Sequence, residues 1–506
     1  MAGWAERVGR IRVVGTGVMG RGIAQLAATG GATVELADLN TEAVRSALEH
    51  VHLMVDKLVS KGKLTEADGR AAKERLVMVD SPSAPAHDVD LVIEAVREDL
   101  EAKRMLFGTL EQHAGPDTVF ATNTSSLSVT EIAAGLNDPT RLIGLHFFNP
   151  VPLMRLVEVV PGVRTAAWLP DGAAELVRRW GHQPVRAKDA PGFLVNHAGR
   201  GLNTEALQIL SESIAEPADV DRIARDVLGL RLGPFELLDL TGLDVSHAVL
   251  ESIWSGFHAE PRLRPSWLTR PRVAAGLYGR KNGEGFYSYV DGKPEVAPEP
   301  AAPPVPREPV YTADERLGHL LMGAGVEVVA DAYPDAVLLV TLRGESTVDV
   351  AARQGMPADR VAGVDALGGY EGRLTLSVHP GLDPAVGRAA WGALAATGRP
   401  VTIVKDGPAP IAQRLLASIV NTACSIAAQG LAAPADIDTA VRLGLGYPRG
   451  PLEWGDFVGP EKILRVLTGL AAATGDPRYR PSSWLTERVA LGLPLTTLGT
   501  RPADLL

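Results

Sequence analysis

Two segments carry side chains suited to moving a proton beside a reacting carbon: NTSSLSVTE (residues 123–131) and GLHFFNPVPLMRLVEVV (144–160). His146 ends a strand-like run, and Glu158 follows in the alternating run Leu156-Val157-Glu158-Val159. A return of the chain between them would set carboxylate against imidazole. The carboxylate would orient the ring and stabilise the imidazolium formed when it takes a hydroxyl proton. A histidine beside an apolar run and a glutamate in a strand also occur as plain structural residues, and spacing alone leaves both readings open. A base of this kind is useful beside a carbon that loses hydride, so a hydride acceptor must have a place elsewhere.

Gly15-Thr16-Gly17-Val18-Met19-Gly20 offers that place. It follows the strand-like IRVV and opens a helix-like run. Gly15 allows a tight turn, Gly17 lets backbone approach a pyrophosphate, and Gly20 permits close helix–strand packing, while free N–H groups at the helix start attract phosphate. A second strand, TVELAD, ends in Asp38. A carboxylate there accepts from ribose hydroxyls and repels a 2′-phosphate, which favours NAD over NADP. A structural glycine-rich turn is the alternative, and the strand–turn–helix setting weighs against it.

The elements that must position these groups follow from periodicity. IRVVG, TVELAD, LVIEAV, TVFATN, LIGLHF and LVEVV read as strands, and residues 21–29, 41–75 and 101–112 as helices. This alternation predicts a mostly parallel sheet covered by helices. Beyond Pro191 the strands fade, and 193–213 and 218–228 carry apolar residues at helical spacing. Residues 294–309 hold seven prolines, which predicts a stiff linker. The chain then repeats itself at one offset of 217 residues: Lys188-Asp189-Ala190-Pro191 returns as Lys405-Asp406-Gly407-Pro408, Pro217-Ala218-Asp219 as Pro434-Ala435-Asp436, and Gly233-Pro234 as Gly450-Pro451. The expected domains are 1–189, 190–290, a linker over 291–309, a degenerate sheet domain over 310–404 and a second helical domain over 405–506.

The chain has 506 residues, 50 basic and 60 acidic, for a net charge of −10. That balance argues against nucleic-acid or anionic-membrane partners. The single cysteine, Cys424, excludes an internal disulfide and a zinc–cysteine cluster, and reads as a small buried residue. No metal site is expected. The polar start and the lack of an uninterrupted apolar span lead to the expectation of a cytoplasmic protein without a membrane segment.

Taken together, the glycine fingerprint, NTSSL, HFFNPVPLMRLVEV and KDAPGFLVN resemble the 3-hydroxyacyl-CoA dehydrogenase family, over residues 11–290. The resemblance implies a Rossmann-type NAD-binding α/β domain followed by an all-α domain, and NAD-dependent, reversible oxidation of an (S)-3-hydroxyacyl-CoA. It makes His146 the general base, Glu158 its partner, and Ser125 and Asn196 the residues that contact substrate. A hydroxyl and an amide can hold the reacting oxygen and thioester carbonyl without competing for the proton. Asn149 would lie near the nicotinamide. Glu98 and Lys103 match cofactor-side positions, and Lys281 a cofactor-contacting lysine of the helical domain. In the family the helical hairpin after the second strand helps bind coenzyme A. Here that is 41–75, where Lys61 is the chosen contact, although seven basic and six acidic residues make the hairpin nearly neutral.

The second half keeps no glycine loop and nothing like NTSS. Aligned on the first, it sets Asp365 opposite His146, Ser377 opposite Glu158 and Gln413 opposite Asn196, so one active site per chain is expected. This pattern resembles the long, duplicated members of the family, often bacterial, some of which serve breakdown of aromatic acids such as phenylacetate. Single-copy members dimerise through the helical domain. An internal pseudo-dimer of the two helical copies is therefore expected, with a homodimer through another surface left open. Two other readings stay open: a dehydrogenase of a free hydroxy acid or sugar acid, and a non-catalytic NAD- or acyl-CoA-binding protein.

Overall fold

In the computed structural model residues 3–331 and 335–500 are described. They form two compact units, Met1–His197 with Gly430–Leu445, and Ala198–Gln429 with Gly446–Leu506.

The first unit is built on an eight-stranded sheet: β1 (Arg10–Val14), β2 (Thr33–Ala37), β3 (Leu76–Met78), β4 (Leu91–Glu94), β5 (Val119–Thr122), β6 (Leu142–Phe147), β7 (Leu156–Pro161) and β8 (Gln183–Arg186). Their order is β3-β2-β1-β4-β5-β6-β7-β8. All neighbours run parallel except β6 and β7, which are antiparallel. The inner strands are mostly apolar because helices cover both faces. The helices include α1 (Val18–Thr29), α2 (Thr41–Ser60), α3 (Glu66–Glu74) and α4 (Leu100–His113). The helical reading of 41–75 divides into α2 and α3. Gly62 turns the chain at φ +65°, and Thr65 caps α3 by accepting from the Asp68 N–H at 3.0 Å. The short strands β3 and β8 carry too few β-branched residues to stand out in sequence.

Residues 430–445 belong to this unit, although the repeat register assigns them to the second helical copy. The Leu431 carbonyl accepts from the Lys188 N–H at 2.9 Å. The helix Pro434–Gly444 packs on β7 and β8. Gly444 is backed so tightly by Leu156 and Val195 that a Cβ there would come within 3.0 Å of both.

In the second unit, α5 (Arg200–Ser211) and α6 (Pro217–Asp226) precede a six-stranded sheet. Its strands are β9 (Val310–Tyr311), β10 (Val328–Val329), β11 (Val337–Leu342), β12 (Val361–Asp365), β13 (Leu374–Val378) and β14 (Val401–Lys405), in the order β10-β9-β11-β12-β13-β14. Again one neighbouring pair, β12 and β13, is antiparallel. The repeat thus preserves the strand reversal. It also preserves a local tie. Asp189 accepts from the N–H groups of Val129 and Thr130 at 2.9 and 2.7 Å, and Asp406, 217 residues on, accepts from the N–H groups of Thr347 and Val348 at 2.9 and 3.3 Å.

The register corrects one expected match. Gly363 pairs with Ser377 and Val364 with Leu376, so the next step sets Asp365 against Thr375. Ser377 is therefore not the strand partner of the residue standing in for His146.

The proline-rich stretch runs within this unit instead of separating two. Arg373 grips Glu299 at 2.7 and 2.8 Å, Arg222 donates to the Ala297 carbonyl at 2.7 Å, and Gly392 lies so close to the Pro304 carbonyl that a Cβ would clash at 2.3 Å.

Helix α7 (Ile411–Ala428) is long and apolar enough to cross a membrane, the one such helix among the described residues, and 83% of it is buried within the protein. It crosses α5 at Gly201, where a Cβ would meet the Ser418 carbonyl and Ile419 Cα at 2.8 Å. Ser418 is the counterpart of Gly201 at the offset of 217, so the two helices cross at equivalent points. Beside the crossing, Arg414 donates to Glu205 and Glu212 at 2.6 Å each and to the Tyr479 hydroxyl at 2.9 Å.

Candidate active site

The antiparallel step from β6 to β7 is what brings base and acid together. His146 lies directly opposite Glu158 in the register, and the His146 ring meets the carboxylate with Nδ1 2.5 Å from Oε2. Both side chains are buried. The other carboxylate oxygen, Oε1, accepts from the N–H groups of Leu194 and Val195 at 3.0 and 2.7 Å. Those donors converge because Phe193 adopts φ +46° next to Gly192 at φ +74°. A left-handed conformation is unfavourable for a bulky residue, and here it turns two successive N–H groups onto one anion. With Nδ1–H donating to Glu158, Nε2 is left as the proton acceptor. Phe148 and Phe193 flank the imidazole, with ring centroids 4.4 and 5.9 Å away.

The loop after β5 lies alongside. Asn123 Oδ1 accepts from the Phe147 N–H at 2.9 Å, tying this loop to the strand end that carries His146. Ser125 is exposed, and its backbone carbonyl accepts from Asn196 Nδ2 at 3.4 Å. The structure therefore brings Ser125 and Asn196 to one another, and the Asn196 segment to Glu158.

Glu98 organises the same loop. Its Oε1 accepts from the Ser125 and Ser126 N–H groups at 2.8 and 2.9 Å, the Thr124 hydroxyl at 2.7 Å and the Ser125 hydroxyl at 3.2 Å. Burial pushes this carboxyl up, but the Lys103 ammonium and the three neighbouring residues together outweigh it and hold the group at about 2. Lys103 is only 1% exposed. It sits between Glu94 at 2.6 Å and Glu98 at 3.2 Å, so it acts on those carboxylates and not at the surface.

Glu94 is a residue sequence reading passed over. It lies inside the strand LVIE, where a lone acid looks like a stray polar position. In the structure it is fully buried and accepts from the Val96 N–H, Lys103 and the Thr122 hydroxyl. It locks together the ends of β4 and β5, where doubly wound sheets bind their ligands.

The glycine loop fits a dinucleotide. Gly15, at φ +92°, would drive a Cβ into the Ala95 carbonyl at 2.6 Å, and a Cβ on Gly20 would overlap the Gly15 carbonyl at 1.8 Å. Gly17, by contrast, has nothing within 4 Å of its Cβ position. It caps α1 without a side-chain hydrogen bond, which leaves the first N–H groups open toward an anion. Thr16 is buried, Val18 is 54% exposed and Met19 is half-buried. Asp38 accepts from the Thr16 N–H and hydroxyl at 2.8 and 3.1 Å, fixing the carboxylate at the end of β2.

Three candidate positions make no hydrogen bond or ion pair with His146 or Glu158 among the described residues. Asn149 is exposed and precedes Pro150 through a cis peptide bond. Lys61 is exposed at the C-terminal cap of α2. Lys281, in the second unit, pairs with Asp244.

The counterpart of the base in the second half is tied up in hydrogen bonds. Gln413 donates to Asp365 Oδ1 at 2.7 Å and to the Leu342 carbonyl at 2.8 Å, and accepts from the Gly344 N–H at 2.8 Å. Burial pushes Asp365 up to about 6 against the donors Gln413 and Leu367.

Comparison with known proteins identifies the family. The family model for the 3-hydroxyacyl-CoA dehydrogenase NAD-binding domain matches residues 10–190, and the model for the C-terminal domain matches 192–289 and again 411–499. The chain is 39% identical over 482 residues to a 3-hydroxyadipyl-CoA dehydrogenase of Escherichia coli K12, covering 95% of this chain and 97% of that one. A probable 3-hydroxybutyryl-CoA dehydrogenase of Bacillus subtilis is 38% identical over 280 residues, 97% of its own length but 55% of this chain. The crystal structure of a 3-hydroxybutyryl-CoA dehydrogenase from E. coli K12 superposes with a TM-score of 0.83 at 38% identity, covering 96% of this chain and 99% of that one. With both family models matched and a relative alike along almost the whole length, the chain belongs to the 3-hydroxyacyl-CoA dehydrogenase family and is an NAD-dependent enzyme.

Proposed function

We propose that His146 is the general base that takes the proton of the substrate's 3-hydroxyl, and that Glu158 orients the ring and stabilises the imidazolium. The observation that carries this reading is the 2.5 Å contact of Nδ1 with Glu158, a carboxylate itself held by two backbone donors. Fixed in this way the ring cannot rotate, and Nε2 stays available as base without loss of orientation. Bound NAD supplies the hydride acceptor. Gly15 to Gly20 hold its pyrophosphate, Asp38 its adenosine ribose, and Asn149 and Lys281 contact it farther along. Ser125 and Asn196 hold the oxygens of the acyl-CoA. Glu98, with Lys103 behind it, fixes the Ser125 loop, and Lys61 meets the coenzyme A phosphates.

The substrate in this reading is a 3-hydroxyacyl-CoA whose acyl tail ends in a carboxylate, in the breakdown of an aromatic acid. The name of the E. coli relative matched at nearly full length supports it. The domains proposed, as units of descent, are 1–189, 190–290, a connecting stretch over 291–309, 310–404 and 405–506, with 430–445 of the last packed into the first compact unit, and the helical copies serve as an internal pseudo-dimer in place of a second subunit. The contact of α5 with α7 supports that arrangement.

Absorbance of NADH at 340 nm with acetoacetyl-CoA tests the chemistry. Wild type turns over, and His146→Ala loses at least ~10²-fold in kcat, the usual contribution of a general base. Equal turnover by the variant overturns the assignment. A kcat/KM with 3-hydroxyadipyl-CoA no greater than with 3-hydroxybutyryl-CoA overturns the substrate reading.

A further inference from the structure

The second half contains a cleft of about 540 Å³ where its sheet meets the helices that follow. That volume lies within the roughly 300–1,000 Å³ of small-molecule sites. Its walls come from the C-terminal ends of three parallel strands: Asp314 and Arg316 follow β9, Arg343 follows β11, and Ala366 and Leu367 follow β12. This is the edge at which open α/β sheets take ligands. Gln413, on the opposite wall, occupies the repeat position of Asn196. By descent, then, the cleft is the second copy of the substrate site.

Its chemistry has been exchanged, not erased. Arg316, Arg343, Lys462 and Arg465 line it with Asp314 as the lone carboxylate, an excess of cations in a chain whose net charge is −10. Below that rim the buried side chains of Leu416, Ile463 and Val466 form an apolar floor. A polyanionic head joined to an apolar tail fits this division. A dinucleotide does not. The Asp314 carboxylate already accepts from the first N–H groups of the helix Glu315–Gly323, at Arg316 and Leu317, and occupies the place a pyrophosphate needs. Gln413 is clamped to Asp365, and neither a histidine nor a glutamate stands at the base and partner positions.

We propose that this cleft binds an acyl-CoA without turning it over, as a second ligand site in the same chain. The choice of acyl-CoA rests on the function proposed for the first site. The cations take the phosphates and the floor takes the acyl arm.

Equilibrium dialysis of the full chain with acetoacetyl-CoA, in the absence of cofactor, counts the sites, and NADH oxidation reports on the first site separately. The expected result is two equivalents bound by wild type. The exposed pair Lys462→Glu/Arg465→Glu should weaken one of them about tenfold or more. A thermal transition matching wild type shows the variant folded. Should it not be folded, the milder Lys462→Gln/Arg465→Gln is read the same way. One equivalent in wild type accompanied by turnover overturns the second site and leaves the function standing. One equivalent without turnover, lost in the variant, supports the second site and overturns the function. Two equivalents undiminished in the variant, or none in wild type, overturn the proposal.

Discussion

His146 and Asp365 end corresponding strands, and each is buried beside an antiparallel neighbour. In the first half the histidine meets a carboxylate held by two N–H groups, so a charge that appears on the ring is met by a fixed opposite charge. In the second half Asp365 faces an amide and, one strand over, Thr375. Burial there works against the charged form, and nothing cationic answers it. The strand frame, the reversal between two strands and the aspartate tie at 189 and 406 survive in both halves. Apart from the lost glycine loop and the smaller sheet, what diverged at the site is polar chemistry at a few positions, which backbone packing tolerates as long as volume is kept.

The sharpest way to break the comparison is at the contact between the helical copies. Arg414→Ala leaves Glu205, fully buried, without its cation, and should cost about 3–5 kcal/mol of stability in urea denaturation. Replacing both, as Arg414→Met with Glu205→Leu, should recover most of that loss. A single variant as stable as wild type would mean that the copies do not depend on this pair.

Next is Glu158→Gln. The amide oxygen can still accept from Leu194 and Val195, but the charge that steadies the imidazolium is gone. We expect kcat to fall roughly 10²-fold or more with KM little changed. A loss confined to KM would make Glu158 a substrate contact instead.

Asp365→Asn addresses the other half. Its carboxyl sits above the ordinary value of 3.8, at about 6, so the folded state holds an extra proton between those values. Stability from this group is full below pH 3.8 and lost as pH rises through 6. At pH 8 the asparagine variant should therefore be more stable by roughly 1–3 kcal/mol, with no gain at pH 3.5.

Glu98 carries the opposite sign and the smallest effect. Held at about 2, below the ordinary 4.5, it contributes stability above pH 4.5 that is lost as pH falls toward 2. Glu98→Gln should flatten that part of the acid-unfolding curve, followed by tryptophan fluorescence. An unchanged slope would show that the Ser125 loop does not depend on this charge.

Much of this was legible in sequence for a physical reason. Runs such as IRVV and LVIE lie in the middle of a sheet covered on both faces, where strands are mostly apolar and a charge such as Arg12 or Glu94 is kept only with a partner. The helix break at Gly62 and the edge strands QPVR and LVM were not legible, since short edge segments carry little hydrophobic signal. VAGVD reads poorly as a strand because Gly363 and Ala362 have weak β propensity, yet the missing side chain at Gly363 lets Thr347 and Leu342 approach. Linear motifs bring His146 and Glu158 to attention as a pair of types. Glu94 and the turn at Phe193 act only through three-dimensional neighbours. The repeat register led residues 430–445 to the second helical copy, whereas packing on Leu156 and Val195 decides where they lie.

The crossing of α5 and α7 at Gly201 and Ser418 has one more consequence. Helices that cross at equivalent points put corresponding positions on either side of the crossing, and here those positions differ in charge. Arg414 stands with Glu205 and Glu212. The positions related to these by 217 residues carry His197, Thr422 and Gln429, none of them a guanidinium or a carboxylate. Two first copies mating with each other would bury Glu205 and Glu212 without a guanidinium. Two second copies would bury Arg414 without a carboxylate. Under the pseudo-dimer proposed above, both like-with-like unions would be penalised and only the mixed one satisfied, which is selectivity by exclusion. A chain severed in its proline-rich stretch should accordingly yield fragments that seek each other in a one-to-one ratio and refuse their own kind.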